Sequence, residues 1–162
     1  MKPIWFLAFI SVAALLLVCA AVFPTTYSPK NIVVIGDSVA YPYSDRFSTY
    51  SFPCWTVEMI TKKLWTLPLH DGDFEADTVV LIAGTGNLFA GSSQEQINKH
   101  LKGLEYITGM RFPFARIITI HPNVIHDIAV QPAAFADGWH MKAAGYRILE
   151  AQFPVLKIQS QR

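Results

Sequence analysis

The sequence predicts an α/β fold built on a parallel sheet, on two observations. Residues 32–35 are an unbroken β-branched run, and 78–83 (TVVLIA) and 115–120 (ARIITI) are mostly apolar runs of strand length, which reads as three buried strands. Two stretches with helical spacing stand between them, so strand and helix alternate along the chain. A single domain is expected in the 162 residues, preceded by an N-terminal extension.

That extension comes first. After Met1 and Lys2, residues 3–23 carry no charge, and 4–23 are 20 residues, enough for a helix to cross a bilayer. A short basic start followed by an apolar centre and small residues also fits a secretory signal peptide. Residues 1–24 are therefore read as a signal anchor or signal peptide. Its unusual apolar length favours the uncleaved anchor. With Lys2 held in the cytoplasm, the rest of the chain is expected outside it, membrane-anchored or secreted. Residues 25–30 form a linker, 31–156 the folded domain and 157–162 a C-terminal tail.

The first strand, 32–35, runs into Gly36-Asp37-Ser38, a tight turn that brings a hydroxyl to the strand's carboxyl end, the edge where open α/β sheets bind ligands. Pro42 then bars a long helix, which leaves an aromatic loop around Tyr41 and Tyr43 and a short strand near residues 49–52. Thr56 is placed to cap a helix reaching Trp65, with Val57, Ile60 and Leu64 on one face. The acidic run 70–77 lacks the glycine and the terminal glutamate of a calcium loop and reads as a solvated turn. The second strand, 78–83, ends in a second glycine turn, Gly84-Thr85-Gly86-Asn87.

Ser92-Ser93-Gln94-Glu95 offers a capping box. Ile97, Leu101, Leu104 and Ile107 then follow at helical spacing, with Gly109 as the stop. The third strand closes at His121-Pro122, and His121 and His126 read as ordinary loop residues. Asp137 and His140 precede a terminal helix. An aspartate three positions before a histidine can accept the imidazole Nδ1–H bond and leave Nε2 facing outward.

Composition excludes several classes. A formal net charge of +1 gives no basic stripe for nucleic acid. Of two cysteines, Cys19 lies in the apolar run, so Cys54 has no partner for an internal disulfide or a zinc cluster. A nucleotide-binding reading of the first turn fails, because no G-x-G-x-x-G follows the strand and Pro42 interrupts the helix that would hold phosphate.

Taken together, VVIGDS at 33–38, GTGN at 84–87 and DGWHMKAAGY at 137–146 resemble the SGNH, or GDSL-type, hydrolase superfamily, in order and in relation to the expected strands. The resemblance covers residues 31–153. It implies a flavodoxin-like three-layer α/β/α sandwich, with the parallel sheet reduced because few residues separate the third strand from Asp137. It also implies a serine esterase or acylhydrolase using no metal or organic cofactor. Ser38 would be the nucleophile, His140 the general base and Asp137 its orienting carboxylate. The Ser38 backbone N–H and Asn87 would be oxyanion donors. Family members usually add a backbone N–H from a glycine. The matching stretch 51–56 has none; Pro53 lacks an N–H, which leaves Cys54 as the nearest donor. Leu88 stands where the family has an aspartate after its asparagine.

Tyr41, Tyr43, Trp55, Phe89 and Trp139 are candidates for lining the substrate entrance. The expected substrate is a small-molecule or glycan ester outside the cytoplasm, with a short acyl group. The rival from another class is a non-catalytic module of the same fold, binding glycans or serving assembly at the membrane.

Overall fold

A computed structural model of the protein describes residues 31–129 and 141–157. The apolar run 4–23, and Asp137, Trp139 and His140, lie outside the described residues. Among the described helices none is long and apolar enough to cross a membrane.

Four parallel strands form the sheet of the described residues: β1 Ile32–Gly36, β2 Ser48–Ser51, β3 Thr78–Ile82 and β4 Arg116–Ile120, in the order β2-β1-β3-β4. β1 and β3 are central and buried along their whole length, as their apolar runs predict. Register pairs Ile32 with Thr78 and Gly36 with Ile82, so both strands end level. β2 is the short strand expected near residue 49. Its sequence, STYS, is polar because it borders the sheet. β4 lies at the other border, and its exposure falls from Arg116 to the buried Ile120.

Side chains alternate across the sheet and build two cores. Val33, Ile35, Val79 and Leu81 face α1 (Val57–Thr66) and α3 (Gln94–Arg111), which contribute Ile60, Leu64, Ile97 and Leu104. Ile32, Val34, Val80 and Ile82 face α4 (Pro122–Ala129) and α5 (Ala143–Gln152), which contribute Ile125, Ile128 and Leu149. The result is a three-layer α/β/α sandwich. Leu156, in the short 3₁₀ turn Pro154–Lys157, joins the second core.

Several local expectations need correction. Residues 85–89 are not only a turn but a five-residue helix, α2 (Thr85–Phe89). Thr56 occupies the N-cap of α1 but makes no capping bond; Asn87 Oδ1 accepts from Val57 N at 2.7 Å instead. The capping box of α3 is Ser93 with Gln96, one residue later than expected, because Ser92 N is already donated to Asn87 O. α3 passes Gly109 and ends at Arg111. Pro122 opens α4 rather than a loop, since proline suits the first turn of a helix, and this puts His126 on a helix. Tyr43 is fully buried in the second core and does not line an entrance.

The run 70–77 is more than a solvated turn. Asp73 is buried and accepts hydrogen bonds from Tyr50 Oη at 2.5 Å and Ser48 Oγ at 2.8 Å. His70 stacks on Tyr50 and approaches Asp73 at 3.6 Å. This cluster ties the start of β2 to the turn before β3, at the amino-terminal edge of the sheet.

Candidate active site

Chain order reverses between β1 and β3: the first crossover goes to β2 on one side, the next to β3 on the other. In open parallel sheets such a switch point leaves a crevice at the carboxyl ends of the two strands. Gly36-Asp37-Ser38 leaves β1 there, and Gly84–Asn87 leaves β3.

Gly36 is required by contact. A Cβ at this position would lie 2.0 Å from the Ile82 carbonyl oxygen, so no other residue lets β1 end so close to β3. Asp37 N then donates to that same oxygen at 3.1 Å. The Asp37 side chain is buried and works as a staple. Oδ2 accepts from Gly84 N at 3.1 Å, Thr85 N at 3.0 Å and Thr85 Oγ1 at 2.6 Å, while Oδ1 accepts from Val39 N at 3.1 Å. Burial pushes the carboxyl above the usual aspartate value, and the four hydrogen bonds pull against it.

The turn after β2 is tied in as well. Ser51 Oγ donates to Asp37 O at 2.9 Å, and Phe52 N to Gly36 O at 2.8 Å. Ser38 follows directly and is half-buried; among the described residues no side chain hydrogen-bonds its hydroxyl.

Asn87 is buried on α2, two residues beyond Thr85. Its Oδ1 takes the Val57 N–H at 2.7 Å, and its Nδ2 donates to Glu58 Oε2 at 2.9 Å. Glu58 Oε1 in turn meets His100 Nε2 at 2.9 Å. Burial alone would raise Glu58. The bonds from Asn87, its own backbone N–H and Thr56, with His100 beside it, outweigh that and lower its pKa. Gly86 lets α2 press against the β2–α1 loop, since a Cβ there would lie 2.4 Å from the Trp55 carbonyl oxygen.

Cys54 occupies that loop with φ 64°, in the left-handed region that favours glycine, and its thiol is exposed. The residue with glycine-like backbone is thus Cys54, not Pro53. Of the entrance candidates, Tyr41 and Phe89 are exposed, and Trp55 is half-buried and stacked on Phe52 at 5.1 Å between ring centroids.

The structure therefore brings Ser38, Asn87 and the Cys54 loop to one edge of the sheet. Sequence reasoning missed the Asp37 staple and the Glu58–His100 pair. A glutamate in a first helical turn is unremarkable on its own, and neither partner is near in sequence. No group of three His, Cys, Asp or Glu able to hold a metal occurs among the described residues.

No protein-family model matches the chain, and no curated protein does. Solved structures do. A GDSL-like lipase from Bacteroides thetaiotaomicron superposes with a TM-score of 0.59 at 11% identity, covering 79% of this chain and 88% of the other. TesA gives 0.56 at 18% identity, covering 78% and 98%. The psychrotrophic esterase EstA from a Pseudoalteromonas species gives 0.54 at 11% identity, covering 79% and 97%. The parallel sheet, its switch-point turns and these superpositions agree on one architecture, and the chain has the SGNH/GDSL-type hydrolase fold.

Proposed function

We propose that the protein is a serine ester hydrolase with Ser38 as nucleophile. The observation that carries the reading is the half-buried Ser38 at the carboxyl end of β1, on the switch-point crevice of a fold shared with a lipase and an esterase. Ser38 Oγ attacks the ester carbonyl while His140 Nε2 takes its proton and Asp137 holds the ring. The oxyanion is met by Asn87 Nδ2–H and by the backbone N–H groups of Ser38 and Cys54. His140 returns the proton to the leaving alcohol. Water, deprotonated by His140, then attacks the acyl-enzyme and frees Ser38.

Two facts support bringing His140 to this edge. Met141, the next residue, is buried in the same core as Val39 and Tyr43, which flank the Ser38 turn. Tyr146, within the 137–146 motif, packs against that same core, where burial first and the nearby Asp37 charge second raise its pKa. The steps call for no metal or organic cofactor. The substrate is a small ester, of a short acyl group on a small alcohol or a glycan. The uncharged run 4–23 supports a location outside the cytoplasm, membrane-anchored or secreted.

Labelling of fractionated cells with a fluorophosphonate probe tests both parts. A labelled band in the membrane fraction is expected, abolished by Ser38→Ala and by His140→Ala, with turnover of a short-chain activated ester lost in parallel. Folded protein that neither labels nor turns over ester would favour the non-catalytic glycan-binding module. Label confined to the cytosol would refute the location alone.

A further inference from the structure

The Asn87 carboxamide is fixed more completely than a helix cap requires. Capping α1 uses only Oδ1, which accepts from Val57 N. Its nitrogen is nevertheless committed to Glu58 Oε2 at 2.9 Å. The orientation is set by chemistry: a flipped amide would put NH₂ against the Val57 N–H and its oxygen against a carboxylate. With the oxygen and one N–H committed, the plane of the amide is locked. The second Nδ2–H has no acceptor among the described residues. Glu58 is itself held from α3 by His100, whose Nε2 lies 2.9 Å from Oε1.

We propose that Glu58 and His100 are positioning residues for Asn87, aiming its remaining N–H at the oxyanion. The inference rests on the esterase reading given above. The Val57 N–H bond to Oδ1 draws electron density toward the carbonyl oxygen and favours donation by the amide, while the bond to Glu58 fixes which N–H is left free. The locked plane also removes the rotational freedom that would blunt the bond in the transition state. His100 contributes by holding Glu58 in the rotamer that reaches Asn87.

A first-turn glutamate would also help α1 merely by meeting its dipole, and the test separates the two roles. Active sites are counted with the fluorophosphonate probe, so turnover is expressed per competent molecule. Glu58→Ala is expected to lower kcat roughly 10-fold with KM unchanged, against about 100-fold for Asn87→Ala. Glu58→Gln, which keeps a carbonyl acceptor, should recover most of the loss, and His100→Ala should give a smaller loss of the same kind. Affinity for an alkyl boronic acid, whose tetrahedral adduct carries the oxyanion charge, should fall in step with kcat.

In the double variant Glu58→Ala/Asn87→Ala the loss should equal that of Asn87→Ala alone, because one residue acts through the other. Additive losses, or an unchanged kcat per labelled site in Glu58→Ala, would overturn the proposal. A second readout needs no turnover. The Asn87 side-chain amide proton bonded to Glu58 should resonate downfield in the NMR spectrum and exchange slowly with solvent, and both features should be lost in Glu58→Ala. Unaltered resonances would overturn the proposal even in an inactive protein, whereas wild-type protein that fails to label would sink only the esterase reading.

Discussion

Replacing Asp37 by Asn should unfold the protein at markedly lower denaturant, although the two side chains have the same shape. All four groups facing the carboxylate are donors: the backbone N–H groups of Val39, Gly84 and Thr85, and the Thr85 hydroxyl. An amide keeps one acceptor and turns its NH₂ toward the rest. If Oδ1 keeps Val39, the Gly84 and Thr85 N–H groups lose their partner inside the protein, at about 1–3 kcal/mol each. Thr85 Oγ1 can turn and accept, so it adds little. Some of the loss is returned, because burial raises the Asp37 pKa and the wild type therefore bears a desolvation cost that Asn does not. The net expectation is a loss of about 2–4 kcal/mol, a sizeable part of the 5–15 kcal/mol typical of a domain. Urea unfolding followed by tryptophan fluorescence measures it. At a slope of about 2 kcal/mol/M, the midpoint should fall by roughly 1–2 M with the slope unchanged. Asp37→Ala should lose at least as much. A midpoint shift below about 0.3 M for Asp37→Asn would refute the staple.

Two further expectations concern stability. Cys54→Gly should be neutral to stabilising by about 1 kcal/mol, because relief of the left-handed strain exceeds the entropy glycine adds to the unfolded chain, while the backbone N–H is kept. Cys54→Val should instead destabilise, and a valine variant melting with the wild type would show that φ is unconstrained there. Burial, with the Asp37 charge as the smaller cause, pushes Tyr146 up to about 12 from its ordinary value. The neutral phenol therefore stabilises the fold fully below about pH 10, and the contribution is lost as pH rises through the folded value. Melting temperatures from pH 9 to 12 should decline less steeply for Tyr146→Phe than for wild type, with the buried Tyr43 and Tyr50 common to both; parallel curves would contradict this.

The central sheet was readable because each buried strand carries its own signal. Residues 32–35 and 79–82 are apolar without interruption, at a length that suits a buried strand. β2 was faint because a border strand needs no apolar face, and Tyr50 alone of its four residues is buried. α4 is hidden for a different reason: Pro122 serves equally as a stop after β4 and as a favourable first residue of a helix. The capping-box shift shows a limit of local motifs. Ser92 with Glu95 and Ser93 with Gln96 satisfy the same pattern, and the choice was made by a bond from Ser92 N to Asn87 O.

Nearly everything unread in the site has that same long-range character. Asp37 finds its partners 47 and 48 residues away, and Asn87 finds Val57 and Glu58 at 30 and 29. Motif spacing names the residues that approach the crevice, but not the bonds that hold them there. Asn87 shows why this matters for experiment. Its oxygen caps α1 and its nitrogen is the proposed oxyanion donor, so removing the side chain leaves the buried Val57 N–H without its partner and empties the donor position together. Loss of activity in Asn87→Ala therefore cannot by itself distinguish a catalytic asparagine from a structural one. Glu58 touches only the nitrogen side of the amide, leaving the cap in place. The two roles of Asn87 can thus be separated through its neighbour more cleanly than by changing Asn87 itself.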